Sequence, residues 1–170
     1  RRTAFTVVFG MFVSLLLAVM ALEIYVYCNG VNKEYVEDTK YEYMYTYKYP
    51  SEEPPRGGYK AYAKTLKKEI YGYTFDVAVM GITEDNPFFD VTFADTANQV
   101  TISSSVAYKY HLKVGDTFTL EDTEADQLYA FEVHEITQYA PNFTVFMPYD
   151  KAVDLFGEPD DFYNVVFADH

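Results

Sequence analysis

From Thr3 to Leu22 (TAFTVVFGMFVSLLLAVMAL) the chain carries no charged residue. At about 1.5 Å rise per residue, a helix of that length spans the roughly 30 Å hydrocarbon layer of a bilayer. A soluble core helix is seldom apolar on every side for so long. Arg1 and Arg2 precede the run, and Glu23, Tyr25 and Tyr27 follow it. Basic residues on the inner side and aromatic rings at the outer interface put the amino terminus in the cytoplasm. Residues 1–29 are therefore expected to form a transmembrane helix. Residues 30–170 are expected to form a domain outside the cell.

A secretory signal peptide would share the basic start, but its apolar region would be shorter and a small-residue cleavage site would follow. Glu23-Ile24-Tyr25-Val26-Tyr27 stands there instead, and Val26 and Tyr27 are too large to precede a lipid-modified Cys28. The sequence opens on Arg rather than Met, which points to a piece of a longer chain. Within the run Gly10, Ser14 and Ala18 recur every fourth residue, a stripe that lets a second helix approach closely in lipid. Membrane-helix composition alone also produces such stripes.

The formal net charge is −13, so the chain lacks the basic footprint that nucleic acid demands. Cys28, at the membrane edge, is the single cysteine; no disulfide framework exists and the domain depends on its core. That core is aromatic, with 18 Tyr and 14 Phe, which favours β-structure. In Tyr41-Glu42-Tyr43-Met44-Tyr45-Thr46-Tyr47-Lys48-Tyr49 strict alternation predicts a strand with its tyrosines on one face. Tyr43, Tyr45 and Tyr47 are candidate binding residues, since a sugar face can lie on a row of rings. The alternative, which we favour at this level, is that the rings pair across strands and cover the core, because no convergent polar groups accompany them.

Pro50 to Gly58 predicts an irregular turn. Tyr59 to Ile70 predicts an amphipathic helix with Tyr59, Tyr62, Ala63, Leu66 and Ile70 on one side and a solvated lysine face. Strands are expected at Tyr73–Ile82, Phe88–Phe93, Gln99–Ser103, Thr117–Leu120, Leu128–Tyr139, Phe143–Met147 and Phe162–Phe167. The strand from Leu128 should carry an irregularity near Glu135, where the parity slips. Short helices are expected at Ser104–His111, with Ser104 or Ser105 as N-cap, and at Asp150–Phe156, stopped by Gly157. The fold class is thus α+β: a mixed, mainly antiparallel sheet with a few short helices, plus one N-terminal transmembrane helix.

No catalytic set emerges. Ser103, Ser104 and Ser105 lack a G-x-S-x-G elbow, and His111, His134 and His170 are scattered, without HExxH or CxxC spacing. The acidic turns at Glu84-Asp85, Glu121–Asp126 and Glu158–Asp161 lack EF-hand spacing. With no P-loop, the chain cannot itself hold ATP by that route. No enzyme activity, metal or cofactor is expected.

The stretch Ile102-Ser103-Ser104-Ser105-Val106-Ala107-Tyr108-Lys109-Tyr110-His111-Leu112-Lys113-Val114-Gly115-Asp116-Thr117-Phe118-Thr119-Leu120 resembles a block in the extracellular domains of FtsX-like permeases, the MacB-type membrane subunits of ABC transporters. Phe131 to Ile136, Val145-Phe146-Met147, Leu155-Phe156-Gly157 and Tyr163 to Phe167 are similar to later parts of that pattern, so the resemblance covers about Gln99 to Phe167. In physical terms Gly115 suits a positive-φ turn position and Asp116 can bond its own backbone there, with Val114, Phe118 and Leu120 expected to point inward.

The resemblance implies a permease subunit in the cell membrane, with further membrane helices beyond the residues given. Its partners would be a separate cytoplasmic ATPase, a second permease copy, and peptide, lipid or antibiotic cargo. The outer domain would contact substrate or partner and follow ATP-driven helix movement. The competing expectation is a membrane-anchored adhesion or glycan-binding domain presenting the tyrosine face.

Overall fold

The computed structural model describes residues 2–49, 57–94, 96 and 98–169, so most of the turn expected over 50–58 lies outside the described residues. Two units are present, one ending at Glu37 and one beginning at Asp38.

In the first unit, helix α1 runs without a break over Arg2–Asp38. Its 37 residues give about 55 Å of helix, well beyond the apolar run, so the segment after Val31 continues helically. None of its side chains is buried, and with apolar residues on every side it has no stripe suited to a soluble core. By length and composition it is long and apolar enough to cross a membrane. The Thr6 hydroxyl donates back to the Arg2 carbonyl (3.0 Å), and Lys33 pairs with Glu37 one turn on (3.6 Å).

The second unit is built around a hairpin that the sequence reading half missed. Tyr59–Ile70 is a strand, β2, not an amphipathic helix. It pairs with β3, Tyr73–Ile82, over an unbroken register from Ala61 opposite Ile82 to Ile70 opposite Tyr73. Tyr71 (φ 50°) and Gly72 (φ 81°) form the connection. Two consecutive positive-φ residues match the right-handed twist of the flanking strands, and that turn fixes the pairing. The helical spacing was coincidental with a strand pattern: Lys60, Tyr62, Lys64, Leu66 and Lys68 share parity. Tyr62 and Leu66 are buried, while the lysine stems lie beside them and carry their charges outward.

The remaining strands are β1 (Tyr43–Thr46), β4 (Gln99–Ser103), β5 (Thr117–Asp122), β6 (Gln127–Thr137), β7 (Thr144–Pro148) and β8 (Val165–Ala168). Helices α2 (Ser104–Tyr110) and α3 (Tyr149–Leu155) complete the unit. The sheet order is β1-β8-β2-β3-β7-β4-β6-β5. Among the described strands only β3–β7 and β4–β6 are parallel, so the sheet is mixed and mainly antiparallel, as expected. It curls until β5 returns to β2 through one rung, Lys67 opposite Glu121. Val100 sits opposite Val133 but Thr101 opposite Glu135, so His134 is the extra residue that the parity slip announced.

Each face of the sheet has its own core. Val77 and Val79 of β3 join Leu66, Ile102, Leu120, Phe131 and Val133 on one face, closed by Val106 of α2 and Ala152 and Val153 of α3. The close seat of α3 depends on Gly81, where a Cβ would stand 2.5 Å from that of Ala152. Met80 and Ile82 face the other way, with Phe146, Val165 and Phe167. Phe88 to Phe93, expected to be a strand, is irregular and covers this second core. Both sides of β3, the strand that precedes this segment, are already taken by β2 and β7. Phe89 packs edge-on against Tyr139 and Phe167, and the Asn86 side chain fixes the entry by accepting from Phe88 N (3.0 Å).

Candidate functional site

The Leu112–Asp116 turn is built as its residue types require. Gly115 has φ 88°, a conformation that strains any side chain. Lys113 N donates to Asp116 Oδ2 (2.8 Å) and Asp116 N to Lys113 O (3.0 Å), closing the turn on itself. Gly115 N then donates to Val133 O (2.8 Å) and Val133 N to Asp116 O (2.9 Å), docking it on β6. Phe118 and Leu120 are buried as expected; Val114, at the turn apex, is 63% exposed and does not point inward. The turn is seated on β6 by the backbone of Gly115 and Asp116, which leaves the Val114 side chain in solvent.

The serine triplet is a joint between elements. Ser103, not Ser104 or Ser105, caps α2: its fully buried Oγ accepts from Val106 N (3.3 Å) and from Thr144 N (3.1 Å) of β7. The helix starts at Ser104 as expected, but its cap is Ser103, one residue earlier than the sequence suggested, because β4 runs directly into the helix. Ser104 Oγ accepts from Tyr139 N (3.2 Å), and Ser105 donates to Asn142 O (2.6 Å). All three hydroxyls therefore bind backbone or one another rather than facing a general base. Among the described residues no group of three or more His, Cys, Asp or Glu side chains could hold a metal ion.

Charge is concentrated where lysines of β2 meet acids from later elements. Lys64 lies 2.6 Å from Asp122 Oδ2, with Asp122 buried, and its ammonium also sits over the Phe156 ring. The Lys64 ammonium, helped by the N–H groups of Ala125 and Glu124, holds the Asp122 carboxyl below its ordinary range against the cost of burial. Lys60 spans to Asp161 (2.7 Å) and over the Tyr149 ring, and it lowers the exposed Asp161 in the same way. Tyr62 donates to Glu158 (3.3 Å), and its phenol is pushed upward first by burial and then by that carboxylate. None of these pairs is legible from sequence spacing, since the partners are far apart in the chain.

The tyrosine run is divided by the fold. β1 keeps only Tyr43 to Thr46 and lies at the sheet edge, paired with β8 alone. Tyr43 and Tyr45 stack on the outside with centroids 6.1 Å apart and remain 48% and 41% exposed. Tyr47 turns inward, edge-on to Tyr163, and Tyr41 packs on Phe167 and Phe89. Two of the three candidate rings thus share a surface, and Tyr47 belongs to the core. Gly10, Ser14 and Ala18 all lie exposed on α1, and a Cβ at Gly10 would meet nothing within 4 Å.

Asn164 is a residue that sequence reading passed over. Its amide accepts from Ala63 N and donates to Ala63 O, both at 2.7 Å, acting as one further rung between β2 and β8. The only sequence signal is a polar amide directly before the apolar Val165-Val166-Phe167.

No family model and no curated protein matches the chain. Among solved structures it is similar to the extracellular domain of the noncanonic ABC-type transporter YknZ from Gram-positive bacteria. That match has 15% identity and a TM-score of 0.46, and it covers 75% of this chain and 82% of that one. The chain is also similar to the periplasmic region of MacB from Actinobacillus actinomycetemcomitans, at 13% identity and a TM-score of 0.46, covering 81% of this chain and spanning 63% of that region.

Proposed function

We propose that the chain is the outward-facing domain of an ABC transporter permease subunit of the FtsX-like class, tethered by the helix that precedes it. The observation that carries the reading is the coupling of two sequence features. A helix that is charge-free from Thr3 to Leu22, with arginines at its start, leads into a domain, and that domain holds the K-V-G-D turn docked on β6. The turn and the serine joint bind backbone, and no group of three or more His, Cys, Asp or Glu among the described residues could hold a metal, which supports a domain that contacts a partner or cargo rather than one that turns over a substrate. A separate ATPase on the cytoplasmic side would supply the work, transmitted through the membrane helices.

Topology tests this first. With Cys28→Ser as background and a cysteine placed at Tyr71, which is almost fully exposed, a membrane-impermeant maleimide should label intact cells. Labelling only after lysis, or a mature form that starts beyond the apolar run, would sink the proposal. So would a hydrolase activity abolished by a single substitution.

The exposed stack of Tyr43 and Tyr45 favours a second reading, a glycan-binding surface on an anchored domain. Glycan-array binding that disappears in Tyr43→Ala and Tyr45→Ala variants of unchanged stability would select it over the first.

A further inference from the structure

β2 and β5 share the one rung at Lys67 and Glu121, and past it no further rung joins Lys68–Ile70 to the start of β5. The opening left in the curled sheet is a groove of about 340 Å³, lined chiefly by Lys68, Ile70, Tyr110, Leu112, Phe118 and Ala130. That volume falls in the range of small-ligand sites. The walls are largely apolar. Even the Tyr110 hydroxyl is buried without a hydrogen-bond partner, so this wall offers the groove a ring and no accessible polar atom.

Lys68 is the one ionic group among the lining residues. Its neighbours in β2 are neutralised: Lys60 by Asp161, Lys64 by Asp122, Lys67 by Asp76. Lys68 instead donates to the Thr119 carbonyl (3.0 Å), which leaves its charge uncompensated by any carboxylate within ion-pair distance among the described residues. Glu69 and Glu121 line an adjoining depression with it but do not pair with it. In a chain of net charge −13, an unpaired ammonium at the mouth of an apolar groove is a selective feature. It repels cationic ligands and rewards an anionic head, through a charge-assisted hydrogen bond formed partly out of water.

We propose that this groove binds a single-chain anionic amphiphile, its apolar tail along Ile70, Leu112, Phe118 and the Tyr110 ring and its carboxylate or phosphate on Lys68. The inference is independent of the transporter reading. The test uses the full chain in phosphatidylcholine nanodiscs, photolabelled with a diazirine-bearing octanoate and mapped by mass spectrometry. Labelling of α1 reports partition into lipid and serves as the reference. Labelling of peptides containing residues 68–70 and 110–118 is expected to be blocked by excess octanoate or octyl phosphate and not by octylamine. Protection by phosphatidylglycerol added to the nanodisc would identify a bilayer headgroup as the source of the anion; its failure beside protection by octanoate would identify a free amphiphile. Lys68→Gln should lower groove labelling roughly tenfold with α1 labelling unchanged, and Ala130→Phe, which fills the groove, should do the same. Equal blocking by octylamine, labelling confined to α1, indifference to both substitutions, or protection by a blocked Val-Thr-Val-Thr peptide and not by octanoate would each overturn the proposal.

Discussion

The ammonium of Lys64 and Oδ2 of Asp122 meet at 2.6 Å across 58 residues of sequence, and the contact holds the end of β5 to the middle of β2. Asp122 Oδ1 is occupied separately, accepting from Glu124 N (3.0 Å) and Ala125 N (3.2 Å), so the carboxylate also shapes the turn into β6. Replacing it by Asn leaves a half-buried ammonium unmatched, and Asp122→Asn should cost about 2–3 kcal/mol in urea unfolding at pH 7.

The same pair sets a pH dependence. Because the folded state lowers the Asp122 pKa beneath its ordinary 3.8, the stabilisation is complete above about pH 4 and fades as pH falls through the lowered value. Wild type should therefore lose stability steeply below pH 4, and Asp122→Asn less so. Parallel curves for the two in that window would refute the assignment.

Tyr149 works at the other end of the scale. Burial, and then the carboxylates of Asp161 and Asp150, push its phenol up to about 12, and its hydroxyl donates to Phe162 O (2.7 Å). A raised folded value means that the contribution is intact below pH 10 and is lost as pH rises towards 12. Difference absorbance near 295 nm, comparing wild type with Tyr149→Phe, should show one late-titrating phenol missing in the variant. Tyr149→Phe should also lower stability at pH 7 by about 1 kcal/mol.

Gly115 and Gly81 are required for different reasons, and substitution separates them. At Gly115 the added methyl meets open space but φ is 88°, so Gly115→Ala should cost about 1–2 kcal/mol and Gly115→Asn less. At Gly81 the backbone is ordinary and the methyl collides with Ala152 Cβ and approaches Tyr149 Cα to 3.3 Å. Gly81→Ala should cost about 1–3 kcal/mol, and Ala152→Gly in the same chain should recover part of that loss. Additive losses in the double variant would show that α3 does not seat as described.

Much of this architecture was legible because the signals were local. Apolar runs bounded by turn residues placed β3 and β4 with their observed ends, and the parity slip in β6 announced an irregularity near Glu135, next to the bulge observed at His134. The failures share one physical origin, tertiary pairing that overrides a local pattern. Tyr59–Ile70 satisfies a helical spacing and a strand alternation together, and the Tyr71-Gly72 turn decides between them. Phe88 to Phe93 has strand-like composition, but both sides of the preceding strand are taken, and the tyrosine run is cut because Tyr41 and Tyr47 go to opposite cores. The groove by Lys68 could not be read from sequence at all, since it exists only where two strands fail to meet.

β8, the last of the described strands, is inserted between β1 and β2 rather than added to an edge. Until Val165–Ala168 are delivered, β1 has no hydrogen-bonding neighbour, and Val165 and Phe167 are missing from the second core. Vectorial synthesis therefore cannot finish this domain piecemeal. An aromatic-rich nascent segment must wait, unsheltered, until Val165–Ala168 arrive, and shielding it in that interval is a demand the topology places on the cell.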